Sequence, residues 1–302
     1  VEEPELLSHQ FSVSFSKASE AMALRPDITS ALYQFSQAYS LSVARHTDVK
    51  IRVKAKTISA IGAIWDFEVR DNTNSNQLYA LDGPSINSGI TISTRNLTAK
   101  TGWAISSYDS TRSAAPFAIL DSVYDALQTV VAVDATVNMD DADIFWSVNN
   151  NTAAGTLSLG EIGDSFYAND QIYLLGSADN NTDEFDEHVI IHEWAHYFED
   201  NLSRSDSLAG AHAIESKLDL RSALSEGFCN VFAAIVTADP VYRDSSGAQQ
   251  AADFQVNVET NAATNIGWFN VGSVQTILYD IFDEFVNSYK IVEKYMKLFF
   301  FD

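Results

Sequence analysis

His192, Glu193 and His196, in the stretch HEWAH, place two imidazoles four positions apart with a carboxylate directly after the first. On a helix, residues i and i+4 lie one turn apart on the same face, so both rings can turn a nitrogen toward a single ion. Glu193 then sits about 100° round the helix from His192, where it reaches a water on that ion without ligating it. The chemistry this supports is metal-assisted hydrolysis with the carboxylate as general base. Three fixed letters arise by accident in about one in a hundred such chains. Val189, Ile190, Ala195 and Phe198 are spaced to bury the opposite face of the helix, which would hold the histidines rigidly.

A catalytic zinc needs a third protein ligand and an open position. One solution, that of the metzincins, would put glycine at position 199 and histidine at position 202, but those residues are Glu199 and Leu202. A glutamate on a second helix is the other common solution. Glu226 opens an apolar helical stretch thirty residues after His196, and Asn230 lies one turn further on the same face. Glu226 would bind the metal, and the Asn230 oxygen would accept the Nδ1–H of a ligand histidine and fix its tautomer. Glu215 and Asp219, in the connection between the two helices, are alternatives for the third ligand. His188 falls one turn before His192, but three histidines along one straight face diverge from one ion, so a surface or supporting position is expected. Cys229 reads as a small packing residue.

With these residues assembled, HEWAHYFED followed by SEGFCN resembles the gluzincin metallopeptidases, the thermolysin-like and fungalysin-like enzymes. SFYANDQIYLLG is similar to the edge strand and following strand that precede the zinc helix in thermolysin-like enzymes, and GSVQTILYDIFDEF to the helix that closes a fungalysin-type site. The resemblance covers roughly residues 113 to 290, and its specific part is the H-E-x-x-H with its glutamate. It implies His192, His196 and Glu226 as zinc ligands and Glu193 as base. It also implies an extended peptide or protein substrate lying along Ser165, Phe166 and Tyr167. Two departures stand out: Asn230 replaces the family's aspartate, and no histidine follows His212 to stabilise an oxyanion. Tyr279 is the first candidate for that donor, followed by Tyr197 and His212.

The elements that would carry these residues are legible in part. VKIRVKAKT, from Val49, alternates Val49, Ile51, Val53 and Ala55 with Lys50, Arg52, Lys54 and Lys56, and predicts one half-buried strand with a solvated basic face. WDFEVR, QLYAL and ITISTRNL predict further strands, whereas residues 1–40 are ambiguous. Ser113 is placed to cap a helix with Pro116 in its first turn, and Leu120, Val123, Tyr124, Leu127, Val130 and Val131 recur at helical spacing. DIFWSV is a strand candidate. SALSEGFCNVFAAIVTA and SVQTILYDIFDEFVNSYKIVEKY predict two more helices. The expectation is an α+β chain with a boundary between about 98 and 112. Residues 1–105 would form a small antiparallel, β-sandwich-like accessory domain, prealbumin-like or immunoglobulin-like. Residues 106–302 would form a mixed β, mainly helical domain of zincin type.

Composition narrows the partners. At 302 residues with 46% hydrophobic content the chain can bury a full core, and one cysteine excludes an internal disulfide. A formal charge of −23 disfavours nucleic acid and anionic membrane. No run approaches the ~18 apolar residues of a membrane span; YMKLFFFD is far too short. The chain begins at Val1 without a leader, so an exported enzyme, secreted or in the cell envelope, is expected to have lost its signal. Zinc is the expected cofactor. The acidic run 177–187, SADNNTDEFDE, could offer oxygens to calcium, but it lacks a spaced loop motif and reads as solvated; MDDAD around Asp140 is weaker still. The function expected is a zinc endopeptidase. The alternatives are an inactive metalloprotease-like binding protein and a zinc hydrolase of a non-peptide bond.

Overall fold

A computed structural model describes residues 6–15, 37–91, 94–208, 215–260 and 265–286. Its centre is a six-stranded mixed sheet. From one edge the strands run Phe166–Ala168, Gln171–Leu174, Ala142–Trp146, Ile64–Asp71 and Lys56–Ala60, with Gln77–Leu78 also pairing to Ile64–Asp71. Ala142–Trp146 is parallel to both its neighbours, and the outer pairs are antiparallel. Alternation explains the burial. Phe67, Val69, Ile144, Trp146, Ile172 and Leu174 face the main core, whereas Phe145, Tyr173 and Phe166 stack on the opposite face, with centroids 4.8 and 5.0 Å apart.

Helix α1 (Ala115–Val131) lays Ile119, Val123 and Leu127 on that core, as its spacing predicts. Ser113 does not cap it. The cap position is Ala114, and the Ser113 hydroxyl accepts instead from the Lys100 N–H at 2.8 Å. Helix α2 (Glu187–Leu202) carries the two histidines, and α3 (Leu220–Thr237) carries Glu226. Their contact is aromatic: Trp194 and Phe198 stack on Phe232 with centroids 5.8 and 5.7 Å away. Helix α4 (Val271–Val286) packs on α3; the expected continuation to residue 295 lies outside the described residues. Between α3 and α4 a hairpin, Val241–Ser246 with Ala252–Asn257, joins Asn181–Thr182 and Gly176–Ser177 in a four-stranded sheet. That hairpin has no counterpart in the sequence reading.

The β-rich N-terminal region is present, with two corrections. The basic strand is three short ones, Asp48–Val49, Arg52–Lys54 and Lys56–Ala60, each with a different partner. Three of its four basic residues are paired within the chain: Lys50 and Arg52 with Asp82, and Lys56 with Asp66 and Glu68. Second, Lys56–Ala60 and Ile64–Asp71 belong to the central sheet, so that sheet runs across the boundary expected near residue 105. The ambiguous opening segment contributes Leu6–Phe15, which pairs antiparallel with Gln37–Ala44 and parallel with Thr94–Ala99.

Candidate metal centre

The i, i+4 spacing on α2 brings the two imidazoles together, with His192 Nε2 and His196 Nε2 3.1 Å apart. Glu226 enters from α3, its Oε2 3.3 Å from His192 Nε2 and 3.5 Å from His196 Nε2. A tetrahedral zinc with bonds of about 2.0–2.1 Å requires its ligand atoms to lie about 3.3 Å apart. The three separations therefore fit one ion, and the two-nitrogen, one-carboxylate donor set suits zinc. Both remaining histidine nitrogens are engaged. His192 Nδ1–H donates to Asn230 Oδ1 at 2.8 Å, and Asn230 Nδ2 donates to Gln275 Oε1 at 2.9 Å. His196 Nδ1 lies 3.3 Å from Ser225 Oγ and 3.2 Å from Cys229 Sγ, while the Ser225 hydroxyl donates to Glu199. Each Nε2 is thereby the ring nitrogen that faces the Glu226 oxygen.

Glu193 is buried, with the Tyr167 backbone of the edge strand Phe166–Ala168 near its carboxylate. Burial is the main cause that pushes its carboxyl up to about 8, with Glu226 and Asp164 adding to the rise and His192 and the Tyr167 backbone opposing it. Burial alone would raise Glu226 too. Hydrogen bonds and charge from His192 and His196 outweigh it and hold that carboxyl well below the usual range.

Residues 143–297, slightly more than half of the chain, match the family model described as the mycolysin C-terminal domain. The chain belongs to the mycolysin C-terminal domain family. No curated protein matches it. The family and the His/Glu cluster together make this a zinc-metallopeptidase-like protein. The mycolysin match begins in the middle of the central sheet, at the strand Ala142–Trp146.

Within this mycolysin-type chain the other residues singled out from sequence fall elsewhere. Tyr279 packs with Val231, Ala234 and Val258. Tyr279 stands four residues after Gln275, the α4 residue whose oxygen accepts from Asn230. The Tyr197 hydroxyl donates to the Asp140 carbonyl and its ring lies in the core. His212 lies outside the described residues. Glu215 engages Asn265, and Asp219 caps α3 by accepting the Arg221 N–H at 3.1 Å, so neither is the third ligand. His188 is not on the surface: it is buried, with Nε2 3.1 Å from both Thr237 Oγ1 and the Asp239 carbonyl. Cys229 is a buried packing residue, but it stands beside His196, and burial pushes its thiol well up, against thiolate formation. Gln275, Ser225, Glu199 and Tyr242, whose ring meets His192 edge-on at 5.9 Å, were not singled out as site residues. Only the long-range packing reveals them.

Proposed function

We propose that this chain is a zinc-dependent endopeptidase of gluzincin type, with His192, His196 and Glu226 holding the metal and Glu193 acting as general base. The observation that carries the reading is the triangle of ligand atoms at 3.1, 3.3 and 3.5 Å, with both Nδ1 atoms turned to partners on α3. A zinc ion there would supply Lewis acidity to a substrate carbonyl and to a water molecule. Glu193 is the residue next to the ligands that is not engaged as one, and its carboxylate takes a proton from water and returns it to the leaving amine nitrogen. The strand Phe166–Ala168 is the outer strand of its sheet, and an extended peptide would add to that edge through main-chain hydrogen bonds. No residue is assigned as oxyanion donor. The β-rich region before residue 105, apart from the strands Lys56–Ala60 and Ile64–Asp71, is proposed as an accessory module. Export from the cell is part of the same proposal.

The test is hydrolysis of a quenched peptide library by the wild-type chain and by Glu193→Gln. The expected outcome is cleavage within peptides that falls by about 10²–10⁴-fold in the variant, with zinc content unchanged. Cleavage of small esters or amides alone would point to a different zinc hydrolase. Full peptide cleavage by Glu193→Gln would remove Glu193 from the mechanism.

A further inference from the structure

The strand Phe166–Ala168 is three residues long and pairs on one side only among the described residues. Side chains tie it down at both ends. Alternation turns Phe166 onto Tyr173 and Tyr167 toward the main core, where it meets α2. The Tyr167 ring stands edge-on to Tyr197 with centroids 6.1 Å apart. Its hydroxyl donates to Asp200 Oδ2 at 2.8 Å and accepts from the Asp170 N–H at 3.4 Å. Asp170 and Asn169 form the two-residue turn after the strand, both with the positive φ such a turn needs, and Asp170 Oδ1 accepts from Asn201 Nδ2 at 3.1 Å. At the other end the Ser165 hydroxyl donates to Asp183 and accepts from the Leu175 N–H at 2.9 Å. Asp183 belongs to the acidic run SADNNTDEFDE, which was expected to be solvated; only residues 178–180 of it are exposed, and Asn181 to Asp186 are buried.

Glu193, Tyr197 and Asp200 stand at i, i+4 and i+7, so they share one face of α2 over about 10 Å. The Tyr167 backbone lies near the Glu193 carboxylate, while its hydroxyl reaches Asp200. The side chain therefore runs along α2 from Glu193 past Tyr197 toward the last turn. A hydroxyl bound to a carboxylate makes one of the stronger hydrogen bonds, and sliding the strand along the helix would break it. The strand residue nearest Glu193 is thus the one whose position along α2 is fixed.

We propose that Tyr167 is a positioning residue: held by Asp200, it sets where the edge strand, and a peptide paired to it, lies along α2 relative to Glu193 and the metal ligands. The proposal rests on the endopeptidase reading above and adds a residue to it. Misplacing a reacting group by 1 Å costs up to about 10²-fold in rate. The main-chain hydrogen bonds that bind an extended peptide do not use the Tyr167 hydroxyl. Its loss therefore falls on kcat rather than on KM.

The test is steady-state kinetics on one cleaved peptide with Tyr167→Phe, Asp200→Leu, Asp200→Asn and the double variant Tyr167→Phe, Asp200→Leu. Tyr167→Phe should lower kcat by about 10–100-fold, with KM within about threefold of wild type and zinc content unchanged. Asp200→Leu should match it, and the double variant should be no slower than either single one, since all three remove the same bond. Asp200→Asn, which keeps an acceptor oxygen, should restore most of kcat. An unchanged kcat in Tyr167→Phe, a loss that Asp200→Leu does not share, or a rise in KM alone would overturn the proposal. A wild-type chain that cleaves no peptide would remove the endopeptidase reading and this proposal with it. Cleavage lost in Glu193→Gln but kept in full by Tyr167→Phe would remove only this one.

Discussion

His192 is aimed by a residue on another helix, and that residue is aimed by a third. Asn230 turns its oxygen to His192 because its nitrogen is engaged by Gln275. The Gln275 side chain is almost wholly buried, and its Nε2 has no hydrogen-bond partner among the described residues. Removing an outer partner of this kind weakens metal binding by about 10–100-fold. Gln275→Leu should therefore raise the zinc Kd by that order, measured against a chromophoric chelator, while circular dichroism shows an unchanged fold; an unchanged Kd would make Gln275 a packing residue only. Asn230→Asp should act in the opposite direction, since an anionic acceptor makes His192 a stronger donor to the metal. The same assay reads it, and weaker binding would contradict the role given to Asn230.

At the scale of elements, the site depends on how closely α3 approaches α4. A Cβ on Gly227 would stand 2.9 Å from Val274 Cγ1 and 3.1 Å from the Gln275 backbone nitrogen. Glycine costs about 1 kcal/mol in a helix interior relative to alanine, yet here it lets α4 reach Asn230. Gly227→Ala should therefore destabilise by about 1–3 kcal/mol through overpacking and loosen zinc as Gln275 shifts, read from the urea midpoint and the zinc Kd. A stabilised variant would mean that α4 yields freely. Close approaches of this kind explain what the sequence reveals and what it hides. Helices α1, α2 and α3 follow from apolar spacing, and the ligand set follows from one helix's i, i+4 geometry plus the need for a third donor. Gln275 lies 45 residues from Asn230, and no local pattern marks it. The membership of Ile64–Asp71 in the central sheet is equally hidden, because its partner Ala142–Trp146 is a parallel strand more than seventy residues away, and register across such a distance leaves no periodicity.

At the scale of the whole molecule, negative charge dominates. Burial, reinforced by neighbouring carboxylates, raises Glu193 and Asp186 to about 8, Asp244 to about 6, and Asp183 well above the usual range. These folded groups keep protons that the unfolded chain gives up near pH 4. Their stabilisation of the fold is complete below that pH and is lost as pH rises through the folded values. His188, lowered by burial, works the other way as pH falls below about 6.5, but it is one group against six, since burial raises Glu184 and Glu199 too. Chelator-stripped protein should therefore lose melting temperature steadily from about pH 5 to about pH 8, and metal ions should flatten that slope by stabilising the ionised carboxylates. A melting temperature that rises over this range in the stripped protein would show that these carboxylates are ionised in the fold without any cation.

The central claim is that the two histidines and the glutamate form one metal site, and metal content measured by mass spectrometry on the purified chain and on Glu226→Ala tests it most directly. The result predicted is about one zinc per chain, lost or greatly weakened in the variant. A wild-type chain that takes up no zinc after exposure to it, or a Glu226→Ala chain that binds zinc as tightly as wild type, would contradict the account.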